Sequence, residues 1–185
     1  MKKVASLSLV CALLLGMPFV SADEKAKDDA KVDFKKIKCP VSGGPAKEAS
    51  ALDFKGAKVY FCCNNCPKAF AEKTKDKENE EGIALTQKAN AQLVATKQAR
   101  QVKCPLTGRP MNDEKSVEVA GVAVLLCCDG CKGKVTKAEG DAQIALVFSD
   151  GAFEKGFKIK GAKKGKKDVE SKGLKALNKK KNDDN

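Results

Sequence analysis

Histidine and tryptophan are absent from the 185 residues, and tyrosine occurs once. Without histidine no Ser/His/Asp or Cys/His constellation can be assembled, so hydrolytic chemistry of that kind is poorly supported. Imidazole is also unavailable to a metal. A single tyrosine and no tryptophan leave little to stack on bases, which makes nucleic acid a poor candidate partner. After residue 22 no apolar run approaches the roughly 18–20 residues that span a bilayer, and no transmembrane segment is expected there. Met111 is the only methionine beyond residue 22, which leaves thiolate as the main soft ligand type.

What the chain does have is cysteine in a repeated order. Cys39, Cys62, Cys63 and Cys66 return as Cys104, Cys127, Cys128 and Cys131, each 65 positions further on, in a C-x22-C-C-x2-C framework. The string C-P-V-S-G-G-P at Cys39 to Pro45 is echoed by C-P-L-T-G-R-P at Cys104 to Pro110, and Gly56 and Val59 by Gly121 and Val124. A fixed offset across such different residues marks an internal repeat. It means that no insertion separates the first cysteine from the last three in either copy, as expected if both ends of each unit converge on one site. Soft-metal binding is the first chemistry such a cluster suggests.

Segment by segment, residues 1 to 22 read as a secretory signal. Lys2 and Lys3 form the charged start, Val4 to Val20 the mostly apolar core, and Val20-Ser21-Ala22 the cleavage site. Cys11 falls inside that core and is expected to be discarded with it. The mature protein is thus expected to be exported, periplasmic or secreted. Residues 23 to 36 read as a charged, solvated leader, 37 to 100 as a first unit with a linker helix, and 101 to 157 as a second unit. Residues 158 to 185 hold eleven lysines against four acids, a large share of the formal +12, with almost nothing to bury. This tail is expected to be disordered, and either simply solvated or a contact for an anionic surface or acidic partner.

Within the first unit, Lys55-Gly56-Ala57-Lys58 reads as a turn between extended runs at Ala51 to Phe54 and Val59 to Cys62. A bend at Cys62 to Cys66 leads into a helix opened by Pro67. Ala84 to Gln101 read as a second helix that links the units. In the second unit, Ser116 to Ala120 and Val122 to Leu126 flank Gly121, and Ile144 to Phe148 fit a strand or the buried end of a helix. Phe54, Tyr60, Phe61 and Phe70 are expected to form a small core. Gly43, Gly44 and Gly108, with Pro45 and Pro110, are expected to make turns that aim backbone N–H groups at sulfur. Glu48, Asp53, Asp113 and Glu118 read as surface charges. The fold class is therefore α+β, two small units each made of a β-hairpin and a short helix anchored by cysteines, joined by a helix. Units of about 60 residues with few large apolar side chains need a staple.

The run Val59 to Phe70, Val-Tyr-Phe-Cys-Cys-Asn-Asn-Cys-Pro-Lys-Ala-Phe, preceded by Cys39-Pro40-Val41-Ser42-Gly43, resembles the TRASH and YHS domains. These are small treble-clef-like modules associated with heavy-metal sensing, trafficking and resistance. One cysteine, a gap of about twenty, then C-x3-C and an aromatic is their signature. Cys39, Cys62, Cys66 and Phe70 match it, as do Cys104, Cys127 and Cys131, with Val135 in place of the aromatic. The resemblance covers residues 37 to 70 and 102 to 135, and it implies metal binding by those cysteines. Cys63 and Cys128 depart from it, since serine is frequent there.

If the chain turns between Cys62 and Cys63, four thiolates complete a tetrahedral zinc shell. If it does not, neighbouring side chains diverge, three thiolates face the site, and a low-coordinate ion such as Cu(I) is favoured. Zn2+ or Cu+, two ions per chain, is the expected cofactor, with all eight of Cys39, Cys62, Cys63, Cys66, Cys104, Cys127, Cys128 and Cys131 as candidate ligands. Two other chemistries stay open. Disulfides suit an exported protein, although pairing within each unit crowds three cysteines together. Cys63-Asn64-Asn65-Cys66 and Cys128-Asp129-Gly130-Cys131 are also CxxC motifs of the kind that exchange thiols and disulfides. The sequence reads best as an exported soft-metal carrier, buffer or metal-stapled module, and not as an enzyme.

Overall fold

Hydrophobic alternation decides the first element. In the computed structural model, which describes residues 32–161, strand β1 (Lys47–Phe54) runs antiparallel to β2 (Ala57–Phe61). Val59 and Phe61 turn the same face inward and are fully buried, as a period of two requires. Lys55 and Gly56 join the strands with φ of 52° and 82°, the two positive values of a type I′ turn. The second hairpin, β4 (Asn112–Val119) with β5 (Val122–Leu126), turns at Ala120 and Gly121 with φ of 52° and 77°. Its pairs Ser116↔Leu125 and Val119↔Val122 sit 65 positions beyond Ala51↔Tyr60 and Phe54↔Ala57, and the ladder is irregular at the equivalent place in each. Both hairpins extend further toward the N-terminus than expected.

Each hairpin feeds a helix, α1 (Cys66–Lys73) or α3 (Asp129–Lys137), as the sequence suggests. The linker helix differs from expectation at both ends. Helix α2 spans Glu80–Ala95, opening earlier because the Asn79 side chain accepts hydrogen bonds from the N–H groups of Glu81 and Gly82 at 2.9 and 3.4 Å. Asparagine is among the strongest N-caps, and Glu80 and Glu81 suit the positive end of the helix dipole. At the other end Lys97 takes φ of 59°, which stops the helix, and Ala99–Gln101 form strand β3 instead. The ambiguous run at Ile144 to Phe148 is helical, within α4 (Gly140–Phe148). Two further elements follow, α5 (Asp150–Gly156) and β6 (Phe157–Ile159), the latter pairing antiparallel with β3. The ordered fold thus continues past Phe157.

Architecture is α+β, with five helices and three two-stranded antiparallel sheets among the described residues. Phe61 and Phe70 from the first half, Leu85 and Leu93 from α2, Val124 and Leu126 from the second hairpin, and Phe148, Phe153 and Phe157 from the C-terminal elements belong to one hydrophobic cluster. Of the aromatics expected to form a small core, Phe61 and Phe70 are buried in this cluster, Phe54 is half-buried against it, and both Phe54 and Phe61 meet Phe70 edge-to-face, whereas Tyr60 is half-buried outside the cluster. Phe34, in the expected leader, packs edge-on against Tyr60. The four acids read as surface charges are exposed.

A polar bolt joins the halves. The Lys55 ammonium donates to Asp150 at 2.6 Å and to the fully buried Asn90 at 3.1 Å, while the Asn90 amide donates to the Phe148 carbonyl and to Asp150. No described helix is long and apolar enough to cross a membrane. The signal, most of the leader and the bulk of the lysine tail lie outside the described residues.

Candidate metal centre

Each cluster starts from a tight loop. The Cys39 N–H donates to the Gly44 carbonyl at 2.7 Å and the Gly43 N–H to the Cys39 carbonyl at 2.9 Å, a reversal that Gly43 permits with φ of 74°. In the second loop the Cys104 N–H donates to Arg109 and the Gly108 N–H to Cys104, with Gly108 at φ of 73°. The glycines therefore shape the loops. The N–H groups that reach sulfur come instead from Val41, Ser42 and Cys62 at Cys39, and from Cys127, Thr107 and Leu106 at Cys104.

The hairpin delivers the other cysteines. Cys62 follows β2 directly and Cys66 opens α1 with its side chain buried, and Cys127 and Cys131 hold the same places after β5 and in α3. Cys39, Cys62 and Cys66 bring their sulfurs within 4.8 Å of one another, and so do Cys104, Cys127 and Cys131. The Cys62–Cys66 and Cys127–Cys131 sulfur separations are 3.6 and 3.7 Å. Thiolates at 2.3 Å from a tetrahedral ion would stand about 3.8 Å apart, so these sulfurs need little movement to share one. The eight cysteines among the described residues are all free thiols.

Cys63 and Cys128 take a different position. Both are exposed, whereas Cys39, Cys66, Cys104 and Cys131 are buried. Neither joins the three-sulfur groups. Cys63 sulfur lies 3.4 Å from that of Cys66, and Cys128 sulfur 3.7 Å from that of Cys127. The chain bends at Cys62 and Cys63 and again at Cys127 and Cys128, which leaves Cys63 and Cys128 at the surface.

Electrostatics divides each triad. Burial opposes charge on Cys39, but the Ser42 hydroxyl and the three backbone N–H groups outweigh it and lower its pKa from 9.0 to about 7. At Cys104 burial is likewise overcome, by Thr107 and its backbone neighbours, giving about 7. Burial pushes Cys66 well above its ordinary value, with hydrogen bonds to Cys63, Cys62 and Cys39 adding to the effect. Cys131 is pushed up to about 12 by burial, then by Cys127 and Cys128, then by the charge of Cys104. Backbone N–H groups of Cys66 and Asn65 lower Cys63, and that of Cys131 does most to lower Cys128.

In each triad the loop cysteine is therefore the more readily ionised and the helix cysteine the less. A cation would take the place of the remaining protons, since thiolate and not thiol is the ligand.

Sequence reasoning did not single out two supporting groups. Ser42 and Thr107 place their hydroxyl oxygens 3.1 and 3.3 Å from the sulfurs of Cys62 and Cys127. A hydroxyl at the same position of both repeats was the available signal. Gln92 and Gln101 carried none, because they are not 65 apart. The Gln92 amide accepts from the Tyr60 N–H at 2.7 Å and donates to the carbonyls of Tyr60 and Lys38 at 2.8 and 2.9 Å. Gln101 bonds both backbone groups of Leu125, the residue equivalent to Tyr60, at 2.9 and 2.6 Å. These amides complete the open edges of β2 and β5 just before each bend, and Gln92 also ties down the residue preceding Cys39. Comparison of the chain with protein-family models, curated proteins and solved structures returned no match.

Proposed function

We propose that this chain is an exported soft-metal-binding protein of the TRASH/YHS kind that holds one ion at Cys39, Cys62 and Cys66 and a second at Cys104, Cys127 and Cys131. The observation that carries this reading is the recurrence, in both halves, of three sulfurs at coordination distance on a strand–bend–helix scaffold. Three convergent thiolates satisfy Cu(I) outright, while Zn(II) needs one further donor. The protein then acts as a carrier, buffer or metal-stapled module and not as an enzyme, with the lysine tail available to an anionic surface.

Native mass spectrometry of the reduced full chain titrated separately with Cu(I) and zinc tests this. Two ions per chain are expected, with sulfur X-ray absorption giving three sulfurs per copper. Failure to bind either ion above one equivalent, with or without reductant, would refute the assignment. Metal content and free-thiol count on protein recovered from the export compartment without reductant test whether the sites are occupied there.

A further inference from the structure

We propose that Cys63 and Cys66 form a thiol–disulfide exchange pair that withdraws a ligand from the first cluster. Three observations place the pair. Cys63 is exposed, while Cys39 and Cys66 are buried and Cys62 is half-buried with the Ser42 hydroxyl 3.1 Å from its sulfur. An incoming small-molecule disulfide therefore meets Cys63 first. Cys63 sulfur already stands 3.4 Å from that of Cys66, so moderate side-chain motion suffices for the roughly 2.05 Å bond of a disulfide. Asn65, between them, is helical with φ of −83° and ψ of −32°, so the bend brings the two sulfurs together without a new backbone turn. In the second cluster the outer sulfur lies 3.7 Å from that of its chain neighbour Cys127, and the proposal is confined to the first.

The chemistry balances in two displacements. Cys63 thiolate attacks one sulfur of a disulfide such as oxidised glutathione, whose S–S bond breaks and releases one thiolate. Cys66 sulfur then attacks Cys63 sulfur and expels the second thiolate, so two cysteines are oxidised to one disulfide and the small molecule is reduced to two thiols. The protons given up by Cys63 and Cys66 end on the leaving thiols. Cys66 is one of the three sulfurs assigned to the ion, so in a loaded protein its bond to the metal breaks as the disulfide forms. Release of the ion rests on the metal reading proposed above; the disulfide exchange does not.

The test uses the reduced full chain, once loaded with redox-inert zinc and once metal-free, exposed to oxidised glutathione. Disulfides are mapped by peptide mass spectrometry and zinc is followed with a chromogenic chelator. Cys63–Cys66 is expected as the first bond of the first cluster, forming in step with loss of one ion. Cys66→Ser should trap glutathione on Cys63, and Cys63→Ser should slow oxidation of the first cluster at least tenfold while the second proceeds as in the parent. A first bond at Cys62–Cys66, a trapped adduct elsewhere in the first cluster, or parental oxidation of Cys63→Ser would overturn the pair. If no zinc binds, mapping on the metal-free chain still decides the exchange, and the failure belongs to the metal reading alone.

Discussion

The loop and helix sulfurs of a cluster differ in what holds their protons, and that difference is measurable. In the reduced, metal-free protein Cys39 and Cys104 ionise near pH 7, against 9.0 for an ordinary thiol. The folded state therefore binds fewer protons than the unfolded state between these values, and stability rises with pH across that window. This contribution is fully present above pH 9 and is lost as pH falls through 7. The raised Cys66 and Cys131 act in the opposite sense only above pH 9. Thiolate absorbance should show an early phase near pH 7, and the urea midpoint should climb from pH 7 to 9. Ser42→Ala with Thr107→Ala should move that phase upward and flatten the climb, and an unchanged profile would remove the hydroxyls from the account. For binding, Cys39→Ser, Cys62→Ser or Cys66→Ser should each cost one ion per chain by native mass spectrometry.

At the scale of elements, side chains outside the repeat support the clusters. Gln92→Ala removes three hydrogen bonds and leaves backbone groups of Tyr60 and Lys38 without their amide partner. A loss of about 2–3 kcal/mol is expected from urea unfolding, since stranded polar groups are costly. The first cluster should lose its ion more readily to a chelator than the second, because Lys38 precedes Cys39. Gly156→Ala should act on the other cluster. A Cβ there would lie 2.8 Å from Pro105 Cα and 2.9 Å from Pro105 Cβ. The Gly156 carbonyl also accepts from Val102 and Lys103 at 2.8 and 3.1 Å, just ahead of Cys104. The end of α5 is thus packed onto the second cysteine loop, and displacing it should lower that cluster's metal affinity and leave the first near its parent value.

For the whole molecule, one hydrophobic cluster and the Lys55–Asn90–Asp150 bolt connect the described halves. Calorimetry of the reduced chain should accordingly show one cooperative transition, and two resolved transitions would mean that the halves melt separately. The C-terminal boundary can be tested in the same way. A chain ending at Gly161 keeps β6 and should retain the melting temperature and metal content, with less salt-sensitive retention on a cation exchanger. A chain ending at Gly156 loses the β3–β6 pairing and the buried Phe157 and should melt lower by several degrees.

The repeat was legible in the sequence because it is written in residues with few alternatives. A cysteine that must reach a sulfur cluster and a glycine that must take positive φ tolerate little substitution, so their 65-residue offset placed the hairpins, the bends and the two triads. The clash between strand geometry and four convergent thiolates was likewise visible from the adjacency of Cys62 and Cys63. In the tertiary structure Cys63 and Cys128 are exposed and stand outside the three-sulfur groups, 3.4 and 3.7 Å from one triad sulfur each. Elements that depend on distant partners were hidden. Strand β3 was masked by a helix-forming composition and exists because β6 returns to pair with it. Gln92 and Gln101 look like surface residues until a strand edge stands opposite them. The sequence by itself determined the two cysteine triads and their local scaffold, which follow from short-range geometry; only long-range packing could decide how two such scaffolds share a core.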